Sequence, residues 1–146
     1  MKSRAALLVG ALLALGCAQL VLGCDREHEA TPSGALGVFY GGQIQELEIV
    51  EWGAERLPTL GFRVEWPEPR ESSAPVKWQI TRPGPEGRRV TELGSFEVPR
   101  DRTVFDQALR VAPDAVLGAW NVRVTVGERL VIDRALLLKR PTASNP

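Results

Sequence analysis

Beyond residue 36 the apolar and polar positions alternate with a period of two, and helical periodicity is almost absent. Residues 60–66 set Phe62, Val64 and Trp66 on one face and Arg63 and Glu65 on the other. Residues 76–82 repeat the arrangement, with Val76, Trp78 and Ile80 inward and Lys77, Gln79 and Thr81 outward. The cleanest instance comes late, where Trp120, Val122, Val124 and Val126 oppose Asn121, Arg123 and Thr125. Each of these runs predicts a strand with one buried face. Residues 36–51 read as a long extended segment with a break at Gly41-Gly42, where paired glycines permit a bulge or a change of sheet.

Weaker alternation over 90–98 and 103–111 predicts a next pair of strands at edge positions, joined through Pro99-Arg100-Asp101-Arg102. Gly127-Glu128 then turns the chain into a last strand over 129–138, and a two-residue loop with glycine first suits a type II′ hairpin. Gly84-Pro85-Glu86-Gly87 reads as another hairpin tip. Pro67, Pro69, Pro75, Pro83 and Pro85 punctuate the strands, because proline cannot serve inside a central ladder. About seven strands with turns at this spacing and no intervening helices predict an all-β fold of two packed antiparallel sheets.

The amino-terminal segment follows different rules. Met1-Lys2-Ser3-Arg4 is a basic start, and residues 5–23 are apolar with Gln19 as the only strongly polar interruption. The tract Leu20-Val21-Leu22-Gly23-Cys24 that closes it resembles the lipobox of bacterial lipoproteins, with Leu22 bulkier than the small residue usual before the glycine. That resemblance implies a signal peptide over 1–23, lipidation of Cys24, and a domain moored to a bacterial membrane, facing the periplasm or the exterior. An earlier tract, Leu13-Ala14-Leu15-Gly16-Cys17, is the alternative, but modification at Cys17 would leave the apolar Leu20-Val21-Leu22 at the start of the mature chain. An uncleaved anchor gives the same location. The 19 residues from 5 to 23 approach the ~20 that span a bilayer, and Lys2 and Arg4 would keep the amino end in the cytoplasm.

Residues 24–35 carry no apolar period and read as a tether whose eleven residues after Cys24 reach at most ~35–40 Å. Asp25, directly after the lipid cysteine, resembles an inner-membrane retention signal of enterobacterial lipoproteins. Residues 36–140 then form the sandwich, and 141–146 a disordered tail. A chain starting at Cys24 keeps one thiol, which lipid consumes, so no disulfide staples the domain and its core alone must hold it. Removing Lys2 and Arg4 leaves 16 basic residues against 18 acidic ones, a net charge near −2. That balance argues against nucleic acid and against a polybasic membrane patch.

The strand count, Trp78 in the third strand and the hairpin from Gly118 through Trp120, Val122, Val124 and Val126 to Gly127-Glu128 look like an immunoglobulin-like or macroglobulin-like sandwich. The disulfide pair of antibody domains is missing, and Tyr40 comes too early for a tyrosine corner. The resemblance therefore implies fold and not binding residues.

Catalytic chemistry finds little to work with. His28, the one histidine, lies in the tether, so a Ser/His/Asp or Cys/His constellation and a His/Cys zinc site are excluded by counting. No cofactor is called for. Glu46 and Glu48, two apart on one predicted strand face, with Glu51 and Glu55 following, would serve a carboxylate-based hydrolase, although a solvated face is written the same way. Arg82, Arg88 and Arg89 around the hairpin tip would suit an anionic polymer or headgroup, and equally an ordinary soluble surface. Trp66, Trp78 and Trp120 fall in phase with the core. Trp52, followed by Gly53 at a strand end, could instead project from a rim to stack on a sugar or anchor a protein. Three functions follow in order: a non-catalytic envelope module contacting another protein through a sheet edge or rim loops, a carbohydrate-binding module centred on Trp52, and a carboxylate hydrolase.

Overall fold

The computed structural model describes residues 31–53 and 57–142; Cys17, Cys24, His28 and Glu55 lie outside them. Among the described residues nine strands make two sheets. β1 (Ser33–Tyr40), β2 (Gln43–Glu46), β4 (Leu60–Glu65) and β7 (Val104–Ala108) form one in the order β2-β1-β4-β7. The second, ordered β3-β9-β8-β5-β6, contains β3 (Ile49–Glu51), β5 (Ala74–Pro83), β6 (Arg89–Val98), β8 (Gly118–Val126) and β9 (Arg129–Lys139). All pairings are antiparallel except β3 with β9. This is the expected all-β sandwich of two sheets, with nine strands where about seven were expected and one parallel pairing where all were expected antiparallel.

The alternating runs do what their period predicts. Phe62, Val64 and Trp66 from one sheet face Val76, Ile80, Trp120, Val122 and Val124 from the other, and all are buried. Fully burying such a side chain stabilises the fold by about 1.5–3 kcal/mol. Trp78 is only half-buried, because it leans to the side of the sandwich against Phe62 and Phe105, with ring centroids 5.6 and 6.1 Å away. Its indole lies over Gly94 of β6, its register partner, where any Cβ would fall on the ring. The two weakly alternating segments are edges, as expected: β6 of the larger sheet and β7 of the smaller. They are not paired with each other, since the chain changes sheet through residues 99–103.

The first segment differs from expectation. Gly41 and Gly42 have φ of 53° and 81°, the two left-handed positions of a type I′ turn, so the chain reverses there into a β1–β2 hairpin. The change of sheet comes later, between β2 and β3 at Leu47 and Glu48. β1 also begins at Ser33, pairing Ser33 with Glu65 and Gly34 with Val64, so the sheet starts three residues before the expected limit at 36. Pro75 and Pro83 lie within β5, near its two ends, where the loss of a ladder donor is tolerated; the Pro75 carbonyl accepts from Gly127 at 2.8 Å. The predicted tips are found at Pro85–Gly87, a single 3₁₀ turn, and at Gly127, which has φ of 57°.

Candidate functional site

The acidic residues do not converge on one another. Glu46 ends β2 while Glu48 sits in the crossover after it, so the two do not share a strand face as the spacing suggested. Both line a small groove of about 230 Å³ with Leu47 and Arg134, but Arg134 holds Glu46 in an ion pair. Glu51, on β3, pairs with Lys139 at 3.7 Å. Glu46 thus ties β2, and Glu51 ties β3, to β9. A broader groove of about 440 Å³ opens between β1, β2 and β4 and includes Glu46, Glu65 and Arg63. Arg63 is committed: its guanidinium forks onto Asp106 at 2.7 and 2.8 Å and donates to the Gly42 carbonyl at 2.7 Å. The hydrogen bond to Asp106 raises its pKa against the opposing effect of desolvation, so the cation is locked in place. Among the described residues no group of three acidic, histidine or cysteine side chains is placed to hold a metal.

Trp52 overturns its reading as a rim aromatic. It is 5% exposed and belongs to the core, with Nε1 donating to the Ala112 carbonyl at 3.3 Å. Its backbone amide continues the β3–β9 ladder by donating to the Lys139 carbonyl, and this continuation turns the indole inward. A shallow depression of about 530 Å³ beside it, flanked by Asp114, Arg140 and Pro141, exposes no aromatic platform.

The three arginines near the hairpin tip do not form a common patch. Arg82 forks onto Glu92 at 2.7 and 3.0 Å and lies 5.4 Å from the Trp120 ring. Arg89 reaches back to the Thr81 and Ala119 carbonyls at 3.2 and 3.5 Å. Only Arg88 extends freely, with Glu86 a distant 3.9 Å. A cation that alternation did not flag is Arg70, whose guanidinium lies 3.8 Å from the Trp66 ring centre and donates to the carbonyls of Val98, Pro99 and Arg102. Burial lowers its pKa, with Asp101 opposing. Arg70 is a clamp on the β6–β7 crossover. Its signal in the sequence was a lone arginine among prolines, which composition cannot distinguish from a solvated loop.

What remains open is a strand edge. β6 runs for ten residues along the border of the larger sheet, with Leu93 77% exposed and Phe96 44% exposed. Phe96 stacks on Phe105 of β7 at 5.2 Å between centroids.

No protein-family model matches the chain, and no curated protein matches it in sequence. Among solved structures, an immunoglobulin-like protein from Pseudomonas aeruginosa superposes with a TM-score of 0.56 at 20% identity, over 77% of this chain and 99% of that one. The likeness establishes the immunoglobulin-like fold. An alkylpurine DNA glycosylase from Pseudomonas fluorescens bound to DNA superposes at 0.42 with 16% identity, over 77% of this chain and 31% of that chain, too distant to carry any inference.

Proposed function

We propose that the chain is a non-catalytic module of a bacterial cell envelope, lipid-anchored at Cys24 and binding another protein through the open edge of its larger sheet. The observation that carries this reading is β6, a long border strand with Leu93 exposed at its centre. Such an edge presents unpaired amides and carbonyls, and a partner strand that adds to it gains main-chain hydrogen bonds while side chains give selectivity. An immunoglobulin-like neighbour in structure is consistent with a binding role.

Anchoring supports the same reading. With β1 beginning at Ser33, the eight residues 25–32 separate Cys24 from the sheet and reach at most ~26–29 Å. A module held so close to a bilayer meets partners at the same surface, which raises their effective concentration. The carbohydrate reading loses its platform with the burial of Trp52. Two measurements test the proposal. Labelled fatty acid incorporates into the native chain and into Cys17→Ser, and not into Cys24→Ser. A photo-crosslinking side chain at position 93 captures a protein at the membrane; capture of none, or a native chain that is cytosolic and free of acyl groups, refutes it.

A further inference from the structure

The hydrogen-bond pattern identifies which backbone groups of β6 are free. Across the hairpin Gly84 donates to the Arg88 carbonyl at 2.7 Å, and on the opposite side of β5 Gly127 donates to the Pro75 carbonyl at 2.8 Å. In an antiparallel ladder each residue turns both backbone groups to the same neighbour, and successive residues alternate. Val76, Trp78, Ile80 and Arg82 therefore face β6, where their register partners are Phe96, Gly94, Glu92 and Val90. The alternate set, Arg89, Thr91, Leu93, Ser95 and Glu97, turns its amides and carbonyls away from the sheet. The side chains of these five also share one face, the outer face of the larger sheet, and all are exposed.

Read as a template, the five are self-complementary. We infer that β6 pairs antiparallel with β6 of a second copy of this chain, with Leu93 on the two-fold axis, joining two five-stranded sheets into one of ten. In that register Arg89 stands opposite Glu97 of the second copy, Thr91 opposite its Ser95, and Leu93 opposite its Leu93. Two opposite-charge pairs, two hydroxyl pairs and one apolar pair result, each a favourable cross-strand combination. On the inner face Val90 meets Phe96, and Glu92, held by Arg82, meets Gly94, over which the Trp78 indole lies. Moving the axis by one residue in either direction sets Leu93 against Thr91 or Ser95 and removes the charge pairs.

The side chains are available for this. Among the described residues neither Arg89 nor Glu97 has an ion-pair partner; Arg89 leans onto two carbonyls, and Glu97 accepts from Ser73 at 2.6 Å. A two-fold contact of this kind closes on itself, so the open edge is consumed and no fibre grows. The inference rests on β6 being the interaction edge proposed above, and it assigns that edge its occupant.

Sedimentation velocity on the purified full chain in mild detergent tests it. The native chain undergoes a reversible, concentration-dependent monomer–dimer exchange. Arg89→Glu alone and Glu97→Arg alone each set like charges opposite one another twice and weaken the dimer about tenfold or more. An equimolar mixture of the two variants restores association, because each supplies the charges the other lacks. Leu93→Glu, with two carboxylates on the axis, abolishes it, and circular dichroism verifies that every variant retains the sheet. A native chain that stays monomeric at all concentrations, a dimer indifferent to the single reversals, or a mixture no tighter than its components would overturn the inference. Capture of a different envelope protein at position 93 by a monomeric chain sinks the inference and leaves the proposed function standing. Self-association of a chain that carries no lipid does the reverse for the anchoring.

Discussion

The two borders of the larger sheet solve the same problem differently. At one border β3 is only three residues long, parallel to β9, and follows directly on the crossover from the smaller sheet. Leu137 donates to the Glu48 carbonyl at 2.7 Å and Trp52 to that of Lys139 at 2.8 Å, while Trp52 closes the core beneath. Glu46 with Arg134 and Glu51 with Lys139 lie across the top. At the other border β6 is ten residues long, hairpin-bound to β5 on one side only, and its crossover to β7 is pinned at one end by Arg70. Nothing along its length among the described residues plays the part that the crossover plays at β3. A border so long is a hazard unless something pairs with it, and short edges are one usual protection. The contrast teaches where acidic side chains are structural and where apolar ones are not.

The sharpest way to break the contrast is at the short border. Trp52→Ala removes a core side chain and costs about 3–5 kcal/mol in urea unfolding, whereas a rim aromatic would cost almost nothing. Trp120→Ala, between the sheets, belongs to the same range. Gly94→Ala comes next: its methyl would fall on the Trp78 indole, and displacing that ring costs about 1–3 kcal/mol and alters tryptophan fluorescence. Arg70→Ala loses charge-assisted bonds to three carbonyls and the stack on Trp66, about 2 kcal/mol, with faster hydrogen exchange at residues 98–103. Arg134→Ala removes an ion pair whose two side chains are both largely exposed, worth about 0.2–1 kcal/mol. Leu93→Thr is the smallest, within about 0.5 kcal/mol of native, because its side chain is in water in the single chain. A Leu93→Thr variant much less stable than that in dilute monomer would show that the edge is already covered.

The strands of this fold were legible wherever one face was buried, because burial on one side forces the period of two. Phe62, Val64 and Trp66, and Trp120, Val122 and Val124, declare themselves in this way, and the weaker alternation of residues 90–98 and 103–111 marked them as borders. Gly41-Gly42 announced an irregularity without its kind, since paired glycines with positive φ serve a tight reversal as readily as a bulge. Trp52 was misread for a physical reason. Its inward turn depends on β3 pairing in parallel with the last strand, a contact between residues 49–51 and 137–139 that no local pattern encodes. The same applies to the fates of Glu46 and Glu51, whose partners Arg134 and Lys139 are supplied by β9.

Local order along the chain was enough to determine the class of fold, the position of two of its hairpins and the identity of most of its core, since propensity, turn chemistry and alternation act between near neighbours. Tertiary structure alone decided which strand closes each border, which charges are spent on one another, and that Leu93 is exposed on an unpaired edge. Those outcomes depend on strands distant in sequence being brought side by side, and only the folded chain states which ones meet.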